Sequence, residues 1–427
     1  MLKKLGKYEL IRKIGEGASS TVYLGCDPFT QREVAIKVAT PEVLQHPEKG
    51  KLYTRLFLTE ASLVGKLNHP HIVQIFDAVV TDKLCYIVME YVAGGTLEAY
   101  ARPGKLLPVD HVVELVFKCT RALDFAQRMG ITHRDIKPAN ILLSGRSDIK
   151  ISDFGTAITS VHSDRTQVAA IGSPAYMSPQ QIHEDTLDHR TDIYSLGVVL
   201  FQLLTGALPY QATSNWNMVY QIVHDEAPKP SSLRPGLPTV LDEIVARAMA
   251  KTLADRYPNW EEFAQDLAQA VRTRQLKIAQ PEFAETEKFA TLRAMPFFAD
   301  FSDVEIWEVL RFATWERIMP GTNIMRDGEA GDFFCFVADG ELNVSKSGKI
   351  LNLLTNGDCF GEMAVINHKH NPTRGADVSA LTRADIITVR GEALEQASAA
   401  CRMHFYQSFL EVLSTRLAFA NQRMSAN

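Results

Sequence analysis

The chain has 427 residues, of which 46% are hydrophobic and 22% charged, values typical of a globular protein with two or three domains. Its formal net charge is −5, spread over both signs, which provides neither a basic face for nucleic acid nor a polybasic membrane anchor. The six cysteines form no zinc-binding or disulfide pattern, and no apolar run approaches the roughly 18 residues that span a bilayer. We therefore expect a cytoplasmic protein without a nucleic-acid partner or a membrane span.

The first part of the chain predicts antiparallel strands, because short runs of alternating apolar and polar residues extend from Tyr8 to Val38 between glycine turns. Gly15 and Gly17 lie at the first turn, where the lack of a Cβ would let backbone amides approach the phosphates of a nucleotide. An ordinary hairpin turn is the alternative. Lys37 ends a buried strand, and its ammonium is either a phosphate ligand or a solvated surface charge.

Three further patterns predict the scaffold around that sheet. A segment with apolar residues at helical spacing contains Glu60, and residues 85–92 predict a buried strand that leads to Gly94. Residues 109–129 and 195–204 carry apolar residues at spacings of three and four, so we expect packed helices there. The polar residues between these two helices are therefore the candidates for chemistry.

Asp135, Asn140 and Asp153 lie in this polar stretch, and their side chains are suited to phosphoryl transfer. Asp135 could accept the proton of a hydroxyl group, Asn140 could hold a metal ion, and Asp153 adds a metal-binding carboxylate. A polar loop that only caps a helix is the alternative interpretation. The complete pattern H-R-D-x-K-x-x-N, followed in order by D-F-G, argues against that alternative.

On these motifs, residues 8–268 resemble a eukaryotic-type Ser/Thr protein kinase domain. The segments that carry the resemblance are His133-Arg134-Asp135-Ile136-Lys137-Pro138-Ala139-Asn140, Asp153-Phe154-Gly155 and Val34-Ala35-Ile36-Lys37. The resemblance implies a bilobal kinase fold with ATP and Mg²⁺ as cofactors. It also implies that the γ-phosphate of ATP is transferred to hydroxyl groups of protein substrates.

The resemblance assigns roles to individual residues. It implies that Asp135 orients and deprotonates the substrate hydroxyl and that Lys137 steadies the γ-phosphate. Lys37 would contact the phosphates and pair with Glu60, a pair that forms only when the helix of Glu60 lies close to the strand. The implied magnesium ligands are Asn140 and Asp153. The implied ATP-binding residues are Gly15, Gly17, Val22, Ala35, Lys37, Met89, Glu90 and Val92.

The segment after Asp153 carries the features expected to control the enzyme. Arg134 resembles the arginine with which many kinases bind a phosphate on the activation loop, and Thr166 and Ser163 are the candidate phosphorylation sites. Gln180 stands where the family has a glutamate that pairs with an arginine deeper in the lobe, here Arg256. We therefore expect at best a hydrogen bond there instead of an ion pair, with some loss of stability.

Beyond the kinase-like part the pattern of the chain changes. Residues 269–290 are charged, rich in alanine and helix-permissive, which predicts a helical linker. Residues 291–427 show short apolar runs between regular glycine turns, as in a β-barrel or jelly roll. We therefore predict an α+β, multidomain protein. A bilobal kinase domain of residues 1–268 would be followed by the linker and by a β jelly roll with flanking helices.

Residues 357–366 and 374–378 resemble the phosphate-binding cassette of cyclic nucleotide-binding domains. The resemblance implies that small residues and backbone amides admit a cyclic phosphate, that Arg374 neutralises it, and that Glu362 accepts from the ribose 2′-hydroxyl. Because Gly375 brings no hydroxyl for cyclic GMP, cyclic AMP is the favoured ligand of the two. The implied binding residues are Gly361, Glu362, Arg374, Gly375 and Ala376.

Several alternatives remain open at this point. Residues 368–373 make the cassette longer than usual, so the second domain could have lost its ligand and serve docking or dimerisation. The last helix, residues 392–423, could cover a nucleotide, form a homodimer seam or pack in the core. Its apolar side carries Phe405, Tyr406, Phe409 and Leu413. For the whole chain, a kinase regulated by a cyclic nucleotide is the leading hypothesis, and a pseudokinase scaffold or a DNA-binding regulator are the alternatives.

Overall fold

The structure is a computed structural model that describes residues 4–17, 20–40, 44, 54, 62, 67–81, 84–145, 148–154, 158–159, 174–272, 285–366 and 373–425. The chain divides into two compact units, Met1–Gln280 and Pro281–Asn427, which are described separately. The division falls within the segment expected to be a helical linker, residues 269–290. The middle of that segment lies outside the described residues.

The first unit begins with an antiparallel sheet. Its strands are β1 Lys4–Leu5, β2 Tyr8–Glu16, β3 Ser20–Asp27, β4 Arg32–Ala39, β5 Ile75–Val80 and β6 Cys85–Glu90, in the spatial order β1-β2-β3-β4-β6-β5. Along β4, Val34 and Ile36 point into the core. Because side chains alternate along a strand, Ala35 and Lys37 point to the opposite face. That face forms one wall of a cleft.

The rest of the first unit is mainly helical. Its helices are α1 Val109–Arg128, α2 Pro179–Ile182, α3 Arg190–Thr205, α4 Asn215–His224, α5 Pro230–Leu233, α6 Thr239–Ala248 and α7 Trp260–Arg272. Short strands lie beneath the cleft: β7 Ile131–Thr132, β8 Ile141–Ser144, β9 Asp148–Ile151 and β10 Ile158–Thr159. Helices α1 and α3 confirm the two helices expected from the apolar spacing, and most of α3 is buried.

The second unit contains two four-stranded sheets. The sheets have the orders β11-β18-β13-β16 and β12-β17-β14-β15, and all of their strand pairs are antiparallel. The strands are β11 Thr314–Ile318, β12 Asn323–Met325, β13 Phe333–Asp339, β14 Leu342–Lys346, β15 Lys349–Leu354, β16 Cys359–Phe360, β17 Asp377–Ala380 and β18 Ala384–Arg390. The helices are α8 Glu285–Ala294, α9 Asp303–Phe312, α10 Glu362–Ile366, α11 Gly391–Gln396 and α12 Ala399–Ser425. The hydrophobic core lies between the two sheets and contains buried residues of both, as in a β jelly roll.

Helix α12 packs on the jelly roll through aromatic side chains. Phe405 and Phe409 are fully buried, and their rings lie 5.7 Å and 5.2 Å from the ring of Phe297. Tyr406 is 47% exposed and does not belong to this cluster. Core packing is thus the role of the two phenylalanines, while Tyr406 faces solvent.

These two units confirm the predicted fold class, an α+β multidomain protein with a kinase-like part followed by a jelly roll. Helices longer than a few turns occur in both units. None of the helices in the described ranges combines the length and the apolar composition that a membrane crossing needs.

Candidate functional site

The cleft beneath the first sheet has a volume of about 480 Å³. All eight residues expected to contact ATP line it: Gly15, Gly17, Val22, Ala35, Lys37, Met89, Glu90 and Val92. Strand pairing explains part of this arrangement, because Val22 lies opposite Lys37 and Ala35 lies opposite Met89. Asn140 and Asp153 line the same cleft from below. The structure thus brings the predicted nucleotide and metal residues together, and their contact with ATP remains a prediction.

The hinge segment, residues 90–95, is fixed by contacts of Glu90 and Gly94. The carboxylate of Glu90 pairs with Lys150 across 2.9 Å, and the same ammonium donates to the carbonyl of Pro70 at 2.8 Å. A Cβ on Gly94 would lie 2.1 Å from the carbonyl oxygen of Leu143, so only glycine fits there. The carboxylate of Glu90 is therefore paired with Lys150, and its backbone is the part expected to contact an adenine ring.

Lys37 pairs with Asp153 rather than standing free in solvent. Lys37 Nζ lies 2.8 Å from Asp153 Oδ1, and the lysine side chain is only 12% exposed. Burial opposes ionisation of Asp153, but the charge and hydrogen bond of Lys37, together with His133 and Lys137, outweigh it, so the pKa of this carboxyl lies below its usual value. The solvated-lysine alternative is thereby excluded. Glu60, the partner expected for Lys37, lies outside the described residues.

The catalytic-loop side chains converge on the carboxylate of Asp135. Its Oδ2 accepts from Lys137 Nζ at 2.7 Å and from Asn140 Nδ2 at 3.1 Å. Asn140 Nδ2 also donates to the carbonyl of Asp135 at 2.8 Å. The carbonyl of Asn140 in turn accepts from the N–H of Ser152, the residue before Asp153. One hydrogen-bonded group therefore contains Asp135, Lys137 and Asn140, and the bond to Ser152 places Asp153 next to it in the chain.

The donor set at Asn140 and Asp153 fits a magnesium ion. With its Nδ2 bound to Asp135, the Asn140 amide offers its Oδ1 as an oxygen ligand, and Asp153 offers a carboxylate kept anionic by Lys37. Mg²⁺ prefers oxygen ligands and is usually held by one or two such side chains together with the phosphates of the nucleotide. These two residues are therefore the expected metal ligands.

Buried residues below hold the backbone before Asp135. Asp192 accepts from the N–H groups of His133 and Arg134, at 2.7 Å each, and burial raises the pKa of its carboxyl. Arg134 has a φ of 69°, in the left-handed region that residues with a Cβ rarely adopt. From the other side, Gln181 Nε2 donates to the carbonyl of Arg134 at 3.0 Å. The catalytic loop is thus held in a strained conformation by two separate helices.

The guanidinium of Arg134 is partly buried, and burial lowers its pKa. Its Nε and Nη1 have no hydrogen-bond partner among the residues that the structure describes. Thr166 and Ser163, the candidate phosphorylation sites, lie outside those residues. A phosphate on either would supply the acceptors that these nitrogens lack.

Gln180 and Arg256 form the hydrogen bond expected in place of the family's ion pair. Arg256 Nη2 donates to Gln180 Oε1 at 3.0 Å, and Gln180 Nε2 donates to the carbonyl of Lys251 at 2.9 Å. Arg256 also donates to the carbonyls of Ala250 and Arg190. Burial still lowers its pKa to about 10. Backbone oxygens therefore compensate for the missing carboxylate. The loss of stability is smaller than it would be if the buried Arg256 had no hydrogen-bond acceptor.

In the second unit, Arg374 lies at the centre of the cassette. It is 6% exposed, donates to the carbonyls of Gly361 at 2.9 Å and Phe333 at 2.8 Å, and stacks on the Phe333 ring. Gly361 has a φ of 81°, and a Cβ there would lie 2.5 Å from Met325 and 2.8 Å from Arg374. Glycine is thus required at this turn, and the turn packs directly against the Arg374 side chain.

The remaining cassette residues surround Arg374 in different ways. Gly375 has open space where a Cβ would stand, and its carbonyl accepts from Lys346 at 2.9 Å. Ala376 is half-buried. Glu362 begins helix α10, and its Oε1 accepts from Arg416 Nη1 of helix α12 at 2.7 Å. Arg416 also donates to the carbonyl of Cys359. The acceptor predicted for the ribose is therefore tied to the last helix.

Comparison with known proteins agrees with this geometry. The protein kinase domain matches residues 8–270, so the chain belongs to the protein kinase family, and the cyclic nucleotide-binding domain matches residues 315–400. Both matches confirm the families to which the sequence was assigned.

Among curated proteins, the chain is similar to serine/threonine-protein kinase PknB of Mycobacterium leprae, with 39% identity over 61% of this chain and 42% of that protein. It is 36% identical to the probable PknB of Bifidobacterium longum, over 61% of this chain and 39% of that protein. A probable serine/threonine-protein kinase of Clostridium perfringens is 32% identical, over 66% of this chain and 41% of that protein. The chain thus spans about two fifths of the length of these relatives.

Three residues with roles at these sites were not singled out from the sequence: Lys150, Gln181 and Arg416. Each acts on a residue far away in the chain; Gln181 and Arg134 are 47 positions apart, and Arg416 and Glu362 are 54. No local spacing indicates such pairs. From the sequence alone, we would expect a polar residue after the activation loop to be solvent-exposed. The same expectation holds for an arginine on an amphipathic helix.

Proposed function

We propose that the chain is a Ser/Thr protein kinase that transfers the γ-phosphate of ATP to hydroxyl groups of cytoplasmic protein substrates. The observation that carries the proposal is one cleft in which the glycine turn, the Lys37–Asp153 pair and Asn140 meet. The relatives named serine/threonine-protein kinases support Ser and Thr as acceptors. Lys137 in the catalytic loop supports the same choice by family analogy.

In this mechanism Asp135 orients the substrate hydroxyl and accepts its proton. Lys137 and Asn140 hold its carboxylate, so the base is aligned by the protein rather than by the substrate. Lys37 and Lys137 place positive charge beside the nucleotide phosphates, and typical kinases reach roughly 1–100 s⁻¹ through such positioning and electrostatics. Mg²⁺ held by Asp153 and Asn140 would neutralise phosphate charge.

Phosphorylation of the activation loop is the proposed first level of control. The two buried nitrogens of Arg134 without a partner among the described residues support an incoming phosphate, with Thr166 or Ser163 as its source. Binding of that phosphate would order the loop close to Asp135, because Arg134 is its neighbour in the chain. Glu60 is proposed as the second control point through its pair with Lys37.

A cyclic nucleotide bound by the second unit is the proposed second level of control. Support comes from the glycine turn at Gly361 and from Arg374, a buried cation held at that turn. A ligand can shift the kinase between inactive and active populations only by binding one arrangement of the chain more tightly than another. Cyclic AMP is the proposed ligand, since Gly375 carries no hydroxyl for cyclic GMP.

Autophosphorylation from Mg-ATP by the purified full-length chain tests the kinase activity and its control by a cyclic nucleotide. The reaction is measured alone, with cyclic AMP and with cyclic GMP, and Asp135→Asn and Arg374→Lys are the matched variants. Arg374→Lys keeps the charge but loses one of the two hydrogen bonds to carbonyls, which separates ligand binding from gross unfolding. Thermal unfolding of each variant shows whether the second unit remains folded.

We expect phosphorylation that is lost in Asp135→Asn, and a response to cyclic AMP that is lost in Arg374→Lys. Phosphorylation that persists in Asp135→Asn would contradict the kinase assignment. Phosphorylation that depends on Asp135 but ignores both nucleotides would keep the kinase and contradict the sensor, leaving docking or dimerisation for the second unit.

A further inference from the structure

Gln181 in helix α2 connects the start of that helix to the catalytic loop. Its Oε1 accepts from the backbone N–H of Ser178 at 3.0 Å, and its own N–H donates to Ser178 Oγ, which completes a capping box. Its Nε2 donates to the carbonyl oxygen of Arg134 at 3.0 Å. The two partners fix the orientation of the amide, because only the oxygen can face an N–H and only the nitrogen can face a carbonyl.

The carbonyl that Gln181 contacts belongs to the peptide that leads into Asp135. Asp192 holds the N–H of Arg134 on one side of this residue, and Gln181 holds its carbonyl on the other. A left-handed conformation of a residue with a Cβ persists only where its surroundings determine it. Gln181 and Asp192 together therefore fix the direction in which the chain enters Asp135.

Gln180, the neighbour of Gln181, anchors the same helix in the opposite direction. Its amide bonds to Arg256 and to the carbonyl of Lys251, both in the interior of the lobe. Helix α2 follows directly on residues 174–178, the end of the activation loop. One glutamine thus attaches this helix to the lobe, and the next attaches it to the catalytic loop.

We propose that Gln181 is a positioning residue for phosphoryl transfer. It holds the peptide between Arg134 and Asp135 in the orientation that places the Asp135 carboxylate for the substrate hydroxyl. Through it, the position of residues 174–178 is transmitted to the catalytic base. The inference rests on the kinase activity proposed above and adds a residue to that site.

Gln181→Glu tests the donor separately from the helix cap. A glutamate still accepts from the N–H of Ser178, and glutamate is itself a standard third residue of a capping box, so helix α2 is preserved. Its second oxygen, however, would face the Arg134 carbonyl and repel it. We expect kcat to fall about tenfold with the KM for ATP unchanged, because no residue of the ATP cleft is altered.

Gln181→Met is the companion variant, since it removes the cap acceptor and the donor together. Both variants should lower kcat and the melting temperature, Gln181→Met through the lost cap and Gln181→Glu through the oxygen placed against the Arg134 carbonyl. A fall in kcat measured well below the melting temperature of each variant is the result that a merely structural role would not produce.

A double-mutant cycle with Asp135→Asn identifies the route by which Gln181 acts. Single-turnover rates with labelled ATP are compared for Gln181→Glu in the wild-type and Asp135→Asn backgrounds. If Gln181 acts through Asp135, the tenfold loss should nearly vanish in the second background. Two results would overturn the role of Gln181 while leaving the proposed function intact. One is an unchanged kcat in Gln181→Glu, and the other is the same tenfold loss in the Asp135→Asn background as in the wild type. If Asp135→Asn keeps the activity of the wild type, both the role of Gln181 and the proposed kinase function are overturned.

Discussion

Arg416 and Glu362 are 54 positions apart in the chain, yet Nη1 of the arginine donates to Oε1 of the glutamate across 2.7 Å. The glutamate side chain is only 4% exposed, while that of Arg416 is 38% exposed. The carboxylate proposed to receive a ribose hydroxyl is therefore balanced by a charge on helix α12. The proposed ligand binding and the contact with that helix thus involve the same carboxylate.

Replacing Arg416 by Met should weaken cyclic AMP binding about tenfold, because it leaves the buried Glu362 carboxylate without its ion partner. Without its donor the carboxylate would lose its fixed orientation and accept less well from the ribose. Calorimetric titration with cyclic AMP and 2′-deoxy cyclic AMP measures both effects. The affinity difference between the two ligands should shrink in Arg416→Met.

Tyr406→Ala is the matched control for that measurement, since Tyr406 lies on the same helix and is 47% exposed. It should bind both ligands as the wild type does. Equal discrimination between the two ligands in Arg416→Met and wild type would show that Arg416 does not act on the ribose acceptor.

Gln180→Glu should change the stability of the first unit by no more than about 1 kcal/mol. The new carboxylate gains a charge-assisted bond to Arg256, but it loses the donor to the Lys251 carbonyl and places an oxygen against it. Arg256→Leu should cost about 3 kcal/mol, because several buried carbonyls lose their donor. Calorimetric unfolding of the full chain measures both, and a large gain from Gln180→Glu would show that the backbone acceptors are weak substitutes.

Gly94→Ala should destabilise the first unit far more than Gly95→Ala. At Gly94 the new Cβ would lie 2.1 Å from the carbonyl oxygen of Leu143, so backbone must move. At Gly95 there is open space, and the cost is the φ of 77°, about 1–2 kcal/mol for a residue with a Cβ. Melting temperatures of the two variants compare these costs, and equal values would contradict the tight contact between the hinge segment and β8.

The stability of the first unit should fall as the pH is lowered from about 7.5 to 5.5, a range that crosses the ordinary histidine pKa. Burial lowers the pKa of His69 well below its usual value, and the positive charges of His71, Arg121 and Lys150 add to this, against a smaller opposite effect of Asp148. In this pH range His69 binds a proton in the unfolded chain but stays neutral in the folded protein, so acid favours unfolding.

His69→Asn is the control for the pH dependence. Nδ1 of His69 accepts from the N–H of His71 at 3.1 Å, and the amide oxygen of asparagine can take that place without titrating. Melting temperatures across this pH range should decline less steeply in His69→Asn. An unchanged slope would assign the acid sensitivity to other groups, His71 first among them because burial lowers its pKa as well.

The sequence could predict those parts of both sites whose residues lie close together along the chain. Asp135, Asn140 and Asp153 follow one another at spacings that only a few chemistries require, and the alternation around Lys37 already placed that lysine on a strand face. The glycine turns likewise predicted a jelly roll before any strand pairing was known. Local pattern was sufficient wherever function depends on neighbours in the chain.

Long-range partners that no family motif implies could not be predicted in this way. The compensation of Arg256 by backbone carbonyls depends on where the chain turns at Ala250 and Arg190, and backbone oxygens carry no signal in a sequence. The pairing of Glu90 with Lys150 likewise gives a partner to a side chain whose backbone alone was expected to serve ATP. Such contacts are set by topology rather than by residue type.

The way Arg374 is held has a thermodynamic consequence for any anion that binds the cassette. Two carbonyl oxygens and the ring of Phe333 already restrict its rotamers. Immobilising a flexible side chain at binding costs about 0.5–1.5 kcal/mol in conformational entropy, and folding has met that cost in advance here. The cassette is in this sense preorganised, so the small phosphate ligand proposed for it would not first have to order the cation that it meets.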